Sequence, residues 1–190
     1  FIGCHEDDPT LSTHDIPGFF HHILSRIDLN RDLHFQTRTT IDTLDYSGDS
    51  WNAGSKLVIA ARGPVIRKLA TVLPSGLDLP PSCKRIDLIL PGIVGVSFMP
   101  FTDYTSARKE LSQLIAALST QALEQWPLWI LTEDSQWMSQ ELNNFLWAAF
   151  TRSQPAKDVY GVDSSFVDKH WTCKAPVIID ARIKPHHAPV

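Results

Sequence analysis

Apolar residues fall into two kinds of pattern along this chain, and the two alternate. Phe19, Phe20, Ile23, Leu24 and Ile27 recur at three- and four-residue spacing, which predicts one amphipathic helix with a single apolar stripe. Ser12 or Thr13 is placed to cap it, with Asp15 near its positive end and Pro17 in its first turn. A second helix is predicted from Ala107, Leu111, Leu114, Ile115, Leu118 and Ala122, and a third from Leu142, Phe145, Leu146, Ala149 and Phe150. Between them lie short aliphatic runs suited to strands covered on both faces: 1–4, Leu57-Val58-Ile59, 93–99, 129–131 and Val177-Ile178-Ile179. Two further β-like stretches, Leu33-His34-Phe35 and Val159-Tyr160-Gly161-Val162, each follow a helix and a polar turn. Strands separated by helices of this length imply a largely parallel sheet with right-handed crossovers.

The pattern is written twice. Glu6-Asp7-Asp8, then Phe19 to Arg26, then Asp32, then Ser55-Lys56-Leu57-Val58-Ile59-Ala60-Ala61-Arg62 are answered by Thr132-Glu133-Asp134, Phe145 to Arg152, Asp158, and Ala175-Pro176-Val177-Ile178-Ile179-Asp180-Ala181-Arg182. Phe19, Arg26 and Asp32 match Phe145, Arg152 and Asp158 at a constant offset of 126. The expected fold is α/β, a largely parallel or mixed sheet flanked by helices and built from two related half-domain repeats. Repeat one covers about 1–73, a Pro/Gly-rich connector about 74–84, and repeat two about 85–190. Two long copies do not make a solenoid. The first copy starts abruptly at Phe1, where the second is approached through a helix and linker at 114–127, so the chain reads as preceded by further sequence.

Composition narrows the function. At 190 residues and 43% hydrophobic content there is enough material for one substantial core or two small ones sharing a face. The 17 basic residues are outnumbered by 21 acidic ones and form no stripe, which argues against nucleic acid as a partner. No apolar run approaches the ~20 residues of a membrane-spanning helix. Cys4, Cys83 and Cys173 are odd in number and scattered, as suits reduced thiols in a cytoplasm.

Candidate chemistry is sparse. Glu6-Asp7-Asp8 and Glu133-Asp134 follow strands, where open α/β sheets place ligands, yet acidic residues there also cap helices and solvate loops. Histidines at 5, 14, 21 and 22 lack zinc-ligand spacing, and His186-His187 reads as a tail. Neither a nucleophile elbow nor a phosphate-binding glycine loop is present, and Gly92-Ile93-Val94-Gly95 reads as a bend beside a strand. The residue types leave no catalytic, cofactor-binding or metal set to name.

Asp42-Thr43-Leu44-Asp45-Tyr46-Ser47, Gly54-Ser55-Lys56-Leu57-Val58-Ile59-Ala60-Ala61-Arg62 and Val177-Ile178-Ile179-Asp180-Ala181-Arg182 resemble the C-terminal region of UbiD-family decarboxylases, and the helix from Phe145 to Asp158 is similar as well. The doubled form is most similar to the menaquinone-pathway-type branch. The resemblance implies a carboxy-lyase for an aromatic or unsaturated acid, using prenylated flavin mononucleotide, a divalent metal and a monovalent cation held by a preceding domain. This chain would then carry no cofactor itself. Its implied partners are the N-terminal and flavin-binding domains of the same protein and further copies in a homo-oligomer, with its own role in assembly and in closing over the flavin site. By the same analogy Ile41 and Leu44 would line the substrate, the plain alternative being a loop that joins two strands. Ala60 stands where the family pattern carries an acidic residue, and Arg62 and Arg182 where it carries threonine. A free-standing α/β binding or interaction module without activity is the rival expectation.

Overall fold

The computed structural model describes residues 1–48 and 50–186. Its strands are β1 (Ile2–Gly3), β2 (Leu33–Thr39), β3 (Gly54–Ala61), β4 (Cys83–Leu90), β5 (Ile93–Phe98), β6 (Leu128–Thr132), β7 (Val159–Val167) and β8 (His170–Asp180). The helices are α1 (Ile16–Arg26), α2 (Tyr104–Ser119), α3 (Ser135–Gln140), α4 (Leu142–Thr151) and α5 (Pro155–Asp158). The strands form a small sheet in the order β1-β3-β2 and a larger one in the order β4-β5-β6-β8-β7. This is the α/β fold expected, with mixed sheets. β1 and β3, β5 and β6, and β6 and β8 run parallel, while β2 and β3, β4 and β5, and β7 and β8 run antiparallel. The parallel bias expected from the helix spacing fails wherever a turn, and not a helix, joins two strands. β7 returns directly into β8 through Asp168 and Lys169, at φ 49° and 68°, the backbone signature of a two-residue hairpin turn.

Local chemistry explains the element ends. The α1 cap is Asp15, whose carboxylate accepts from the Gly18 amide at 3.1 Å, and not Ser12 or Thr13. Pro17 fixes the first helical turn and so moves the cap to the residue before Ile16. Ser12 instead accepts from the His14 amide in the preceding turn. Asp103 caps α2 by accepting from the amides of Thr105 and Ser106.

The two stretches that match in sequence adopt matching local structures. In each, a parallel strand pair is flanked by an antiparallel strand, β1-β3-β2 in one and β6-β8-β7 in the other. The Asp32 carboxylate accepts from the Asp28 amide at 2.8 Å, and the Asp158 carboxylate from the Gln154 amide at 2.6 Å. Asp7 accepts from the Gly63 amide and Glu133 from the Ile183 amide, both at 2.7 Å. The second stretch differs by breaking its helix into α3 and α4, by having β5 and β4 added at its other edge, and by having α2 on one face.

The larger sheet is covered on both faces. β5 and β6 are buried along their whole lengths, as their unbroken apolar runs require. On one face α2 packs Leu111, Leu114 and Leu118 against Val94, Val96, Trp129 and Ile178. On the other, Ile93, Leu128, Ile130, Val177 and Ile179 join one cluster with Phe145 and Ala149 of α4, Phe20, Ile23 and Leu24 of α1, and Ile59 of the small sheet. Phe20 and Phe145 meet edge to face at 5.4 Å, and Phe150 lies 5.8 Å from Phe145.

Because this cluster draws on both sheets, Phe145→Ala is expected to cost roughly 3–5 kcal/mol while leaving unfolding as a single transition. Urea denaturation followed by tryptophan fluorescence and by far-UV circular dichroism checks this. Two separated transitions in the variant would show that the sheets are independent folding units.

Candidate functional site

The segment 40–53, between β2 and β3, holds the two residues that sequence resemblance singles out. Its course is set by two consecutive aspartate turns. Asp42 accepts from the Leu44 amide at 2.8 Å, and Asp45 accepts from the amide and hydroxyl of Ser47 at 2.9 and 2.6 Å. Ile41 does not face outward. It is buried, and its Cδ1 occupies the space beside Gly48 and Gly54, where an added Cβ would come within 2.6 and 2.8 Å of it. Leu44 is 76% exposed, in company with Tyr46 at 58% and Trp51 at 77%. The structure therefore separates Ile41, a plug at the loop base, from Leu44, which belongs to an exposed apolar tip. Tyr46 and Trp51 were not singled out in the sequence, although two aromatics in a polar loop were a readable signal.

Four of the five carboxylates in the acidic clusters accept from a backbone amide, while the Oε2 atom of Glu133 is buried without a hydrogen-bond partner among the described residues, 4.0 Å from Arg152. Asp7 and Glu133 accept from the residues that follow β3 and β8, Asp8 accepts from the Thr10 amide and hydroxyl, and Asp134 caps α3 through the Trp137 amide. Among the described residues, no three His, Cys, Asp or Glu side chains come together to hold a metal ion. His22 is buried and held below its ordinary pKa, first by burial and then by Arg26, so it stays neutral. Burial pushes the Cys83 and Cys173 thiols up to about 12, which leaves neither as a thiolate nucleophile. His187 lies outside the described residues.

Past the carboxyl ends of β6 and β8 sits a buried ionic cluster. Arg182 forks onto Asp180 at 2.9 and 2.8 Å, bonds Glu110 at 2.8 Å and the Met99 carbonyl at 2.9 Å, and lies over the Phe98 ring at 5.0 Å. Lys184 donates to the carbonyls of Arg152, Asp180 and Arg182 and stands 3.5 Å from Asp158. Arg62, at the matching sequence position to Arg182, is an exposed residue 3.6 Å from Glu6. The two arginines that depart from the family pattern thus do unlike jobs. The cluster ties the segment after β8 to α2 and β8 and acts as a clamp, although the Oδ1 atom of Asp158 is buried without a hydrogen-bond partner among the described residues. Ser135, fully buried at the start of α3, likewise donates to Asp87 at 2.6 Å and contacts Ser97 at 2.8 Å, an interior tie between α3, β4 and β5.

Residues 6–61 match the family model described as the 3-octaprenyl-4-hydroxybenzoate carboxy-lyase C-terminal domain, of the UbiD family. The chain is 32% identical over 174 residues to an uncharacterized protein of Chlamydia caviae, covering 91% of this chain and 28% of that protein. It is 31% identical over 180 residues to an uncharacterized protein of Chlamydia trachomatis, covering 94% of this chain and 29% of that one. A Chlamydia pneumoniae protein named as a subunit of 4-hydroxybenzoate decarboxylase is 32% identical over 170 residues, covering 87% of this chain and 26% of that protein. The chain thus spans less than a third of the length of these curated relatives. No solved structure matches it.

Asp158 gives the clamp a pH signature. Burial, only partly offset by Lys184, raises its carboxyl from 3.8 to about 6. The folded state therefore binds a proton that the unfolded state has released between those values, and stability falls as pH rises through that window. Asp32 behaves oppositely. Burial pushes it up, but Arg31 and the Asp28 amide bring it below its ordinary value, so its stabilisation is present above that value and lost as pH falls. Asp158→Asn is expected to remove a decline on the order of 2–3 kcal/mol between pH 4 and 7. Urea unfolding at several pH values measures it, and parallel curves for the two proteins would contradict the assignment.

Proposed function

We propose that the chain, whose residues 6–61 match the UbiD-family C-terminal domain, is the assembly and active-site-closing part of a larger carboxy-lyase acting on an aromatic or otherwise unsaturated acid. The observation that carries this reading is the coincidence of the family match, 6–61, with the unit running from α1 to β3 and its apolar loop tip at Leu44, Tyr46 and Trp51. Three large apolar side chains held out by polar turns expose surface whose burial against another domain would be favourable.

On this reading the cofactors implied for the whole enzyme are held outside this chain. Asp7 and Glu133 at the strand ends each accept from one backbone amide, and no set of three metal-ligating side chains converges among the described residues. Prenylated flavin mononucleotide, the divalent metal and the monovalent cation thus belong, on this reading, to other domains of the polypeptide, and no chemical step runs through this chain. Its contribution is to exclude water and position the neighbouring domain. Ile41 holds the loop base, and Leu44 is the residue that would reach substrate. The half-exposed Trp147 and Phe150 of α4 support a contact surface between copies in a cytoplasmic homo-oligomer. No described helix is long and apolar enough to cross a membrane.

In the full-length protein, replacing Leu44, Tyr46 and Trp51 together by serine is expected to lower kcat/KM for decarboxylation by at least about tenfold. The same change should alter the unfolding free energy of the 190-residue chain by no more than about 0.5 kcal/mol. Unchanged activity and assembly in the full-length variant would overturn the closing role. Carbon dioxide release by the 190-residue chain supplied with prenylated flavin would overturn the accessory assignment.

A further inference from the structure

The segment 1–8 lies over α1 and the end of β3 as a strap, and few bonds hold it. Its strand β1 meets β3 through Ile2 beside Ala60 and Gly3 beside Ala61. After the strand Asp7 accepts from the Gly63 amide at 2.7 Å, and before it the Phe1 ring packs edge-on against Phe20 and Phe150 at 5.0 and 5.7 Å. The corresponding strand of the second repeat, β6, has five residues, all buried, between two neighbouring strands.

Under this strap α1 places His22. The side chain is 2% exposed, and a Cβ added to Gly3 would stand 3.3 Å from its Cδ2 and 3.5 Å from its Nε2. Both ring nitrogens are shut off from solvent, and neither has a hydrogen-bond partner among the described residues. Buried polar groups are ordinarily paired, so an imidazole with two idle nitrogens is a costly choice for packing alone. At the matching position, 126 residues on, the second repeat packs Ala148, fully buried.

The surroundings offer a second proton no seat. Arg26 and His21 face the ring from α1, and Asp7 and Asp8 from the segment after β1. Arg26 repels an imidazolium. Asp7 is engaged by the Gly63 amide, and Asp8 by the amide and hydroxyl of Thr10. Glu6, the third acid of the strap, lies 3.6 Å from Arg62 at the end of β3. An imidazolium formed here must reach water or free a carboxylate, and what covers it is a strand of two residues.

We propose that His22 is an acid trigger: protonation of its ring releases the segment 1–8 from α1 and β3 and uncovers α1 at Phe20 and Ile23. Burial first, and Arg26 second, hold the imidazole below its ordinary 6.5 in the closed state. The open state therefore takes up the proton more readily, so the closed strap is favoured above that value and loses stability as pH falls beneath it. Asp158 acts in the opposite direction between pH 6 and 5, so a loss confined to the strap is no general weakening. The inference stands on the strap alone, independently of the carboxy-lyase reading.

The test is amide hydrogen exchange of the 190-residue chain at pH 7.5 and 5.0, corrected for the intrinsic effect of pH, with NMR of the labelled histidine rings. Protection of Gly63 and of the segment 1–8 is expected to fall about tenfold or more, pH 5.0 lying about 1.5 units below the ordinary imidazole value. Over the same range β6 should keep its protection, and His22 should titrate below 6.5. His22→Ala, the residue of the second repeat, and His22→Phe, which keeps the bulk, should each abolish the acid-induced loss. The Phe variant keeps the test decisive if the Ala one leaves the strap loose at both pH values. Protection of the strap unchanged at pH 5.0 overturns the proposal. So does an equal loss in His22→Phe, an equal loss in β6, or a His22 midpoint at or above 6.5.

Discussion

Everything in this fold depends on the apolar layer trapped between the two sheets. The small sheet cannot stand by itself. One of its three strands is only two residues long, and such a sheet has little buried surface of its own. It is stable because Ile59, together with Phe20, Ile23 and Leu24 of α1, closes over the face of the large sheet that presents Ile130, Val177 and Ile179. The aromatic contacts among Phe20, Phe145 and Phe150 add directional packing where α1 meets α4. The loop tip and the strap over His22 are both positioned by this layer, since each borders β3.

The second constraint is electrostatic, and it separates two aspartates that hold matching places. Asp32 and Asp158 each bind the amide four residues earlier. Asp32 lies beside Arg31, which is exposed and able to pair fully with it, so its carboxylate is favoured. Asp158 faces a lysine whose ammonium is already shared among three carbonyls, and deep burial then dominates. The same backbone motif is thus stabilising on one side of the molecule and proton-seeking on the other. The difference comes from the partner cation, an adjacent arginine for Asp32 and the distant Lys184 for Asp158.

Much of the architecture was legible in the sequence, and the residues say why. The helices at Phe20 and Phe145 declared themselves by period, and β3, β5, β6 and β8 by unbroken aliphatic runs. The antiparallel strands were harder to orient, because the Asp168-Lys169 turn lacks the glycine or asparagine that normally marks a tight hairpin. The Arg182 clamp was hidden because Glu110 of α2 and Met99 after β5 reach it only across the fold, although Asp180 lies two residues before it. Leu44 lies exposed, whereas Ile41 fills the space beside two glycines, a placement that only the folded loop reveals. His22 showed in the sequence as one more residue of a helix, since the strap that shuts in its ring nitrogens covers it only in the fold.

Clamps and caps fix the element ends of this chain, while the loop between β2 and β3 leaves Leu44, Tyr46 and Trp51 exposed. The chain spans less than a third of its curated relatives, and the carboxy-lyase reading proposed for it is that of a longer polypeptide. The most direct measurement is the intact mass and N-terminus of the polypeptide as its own cells make it. The account predicts a single chain roughly three times this length or more, in keeping with a multi-domain enzyme. A native product that begins near Phe1 would contradict it and make this a self-contained module.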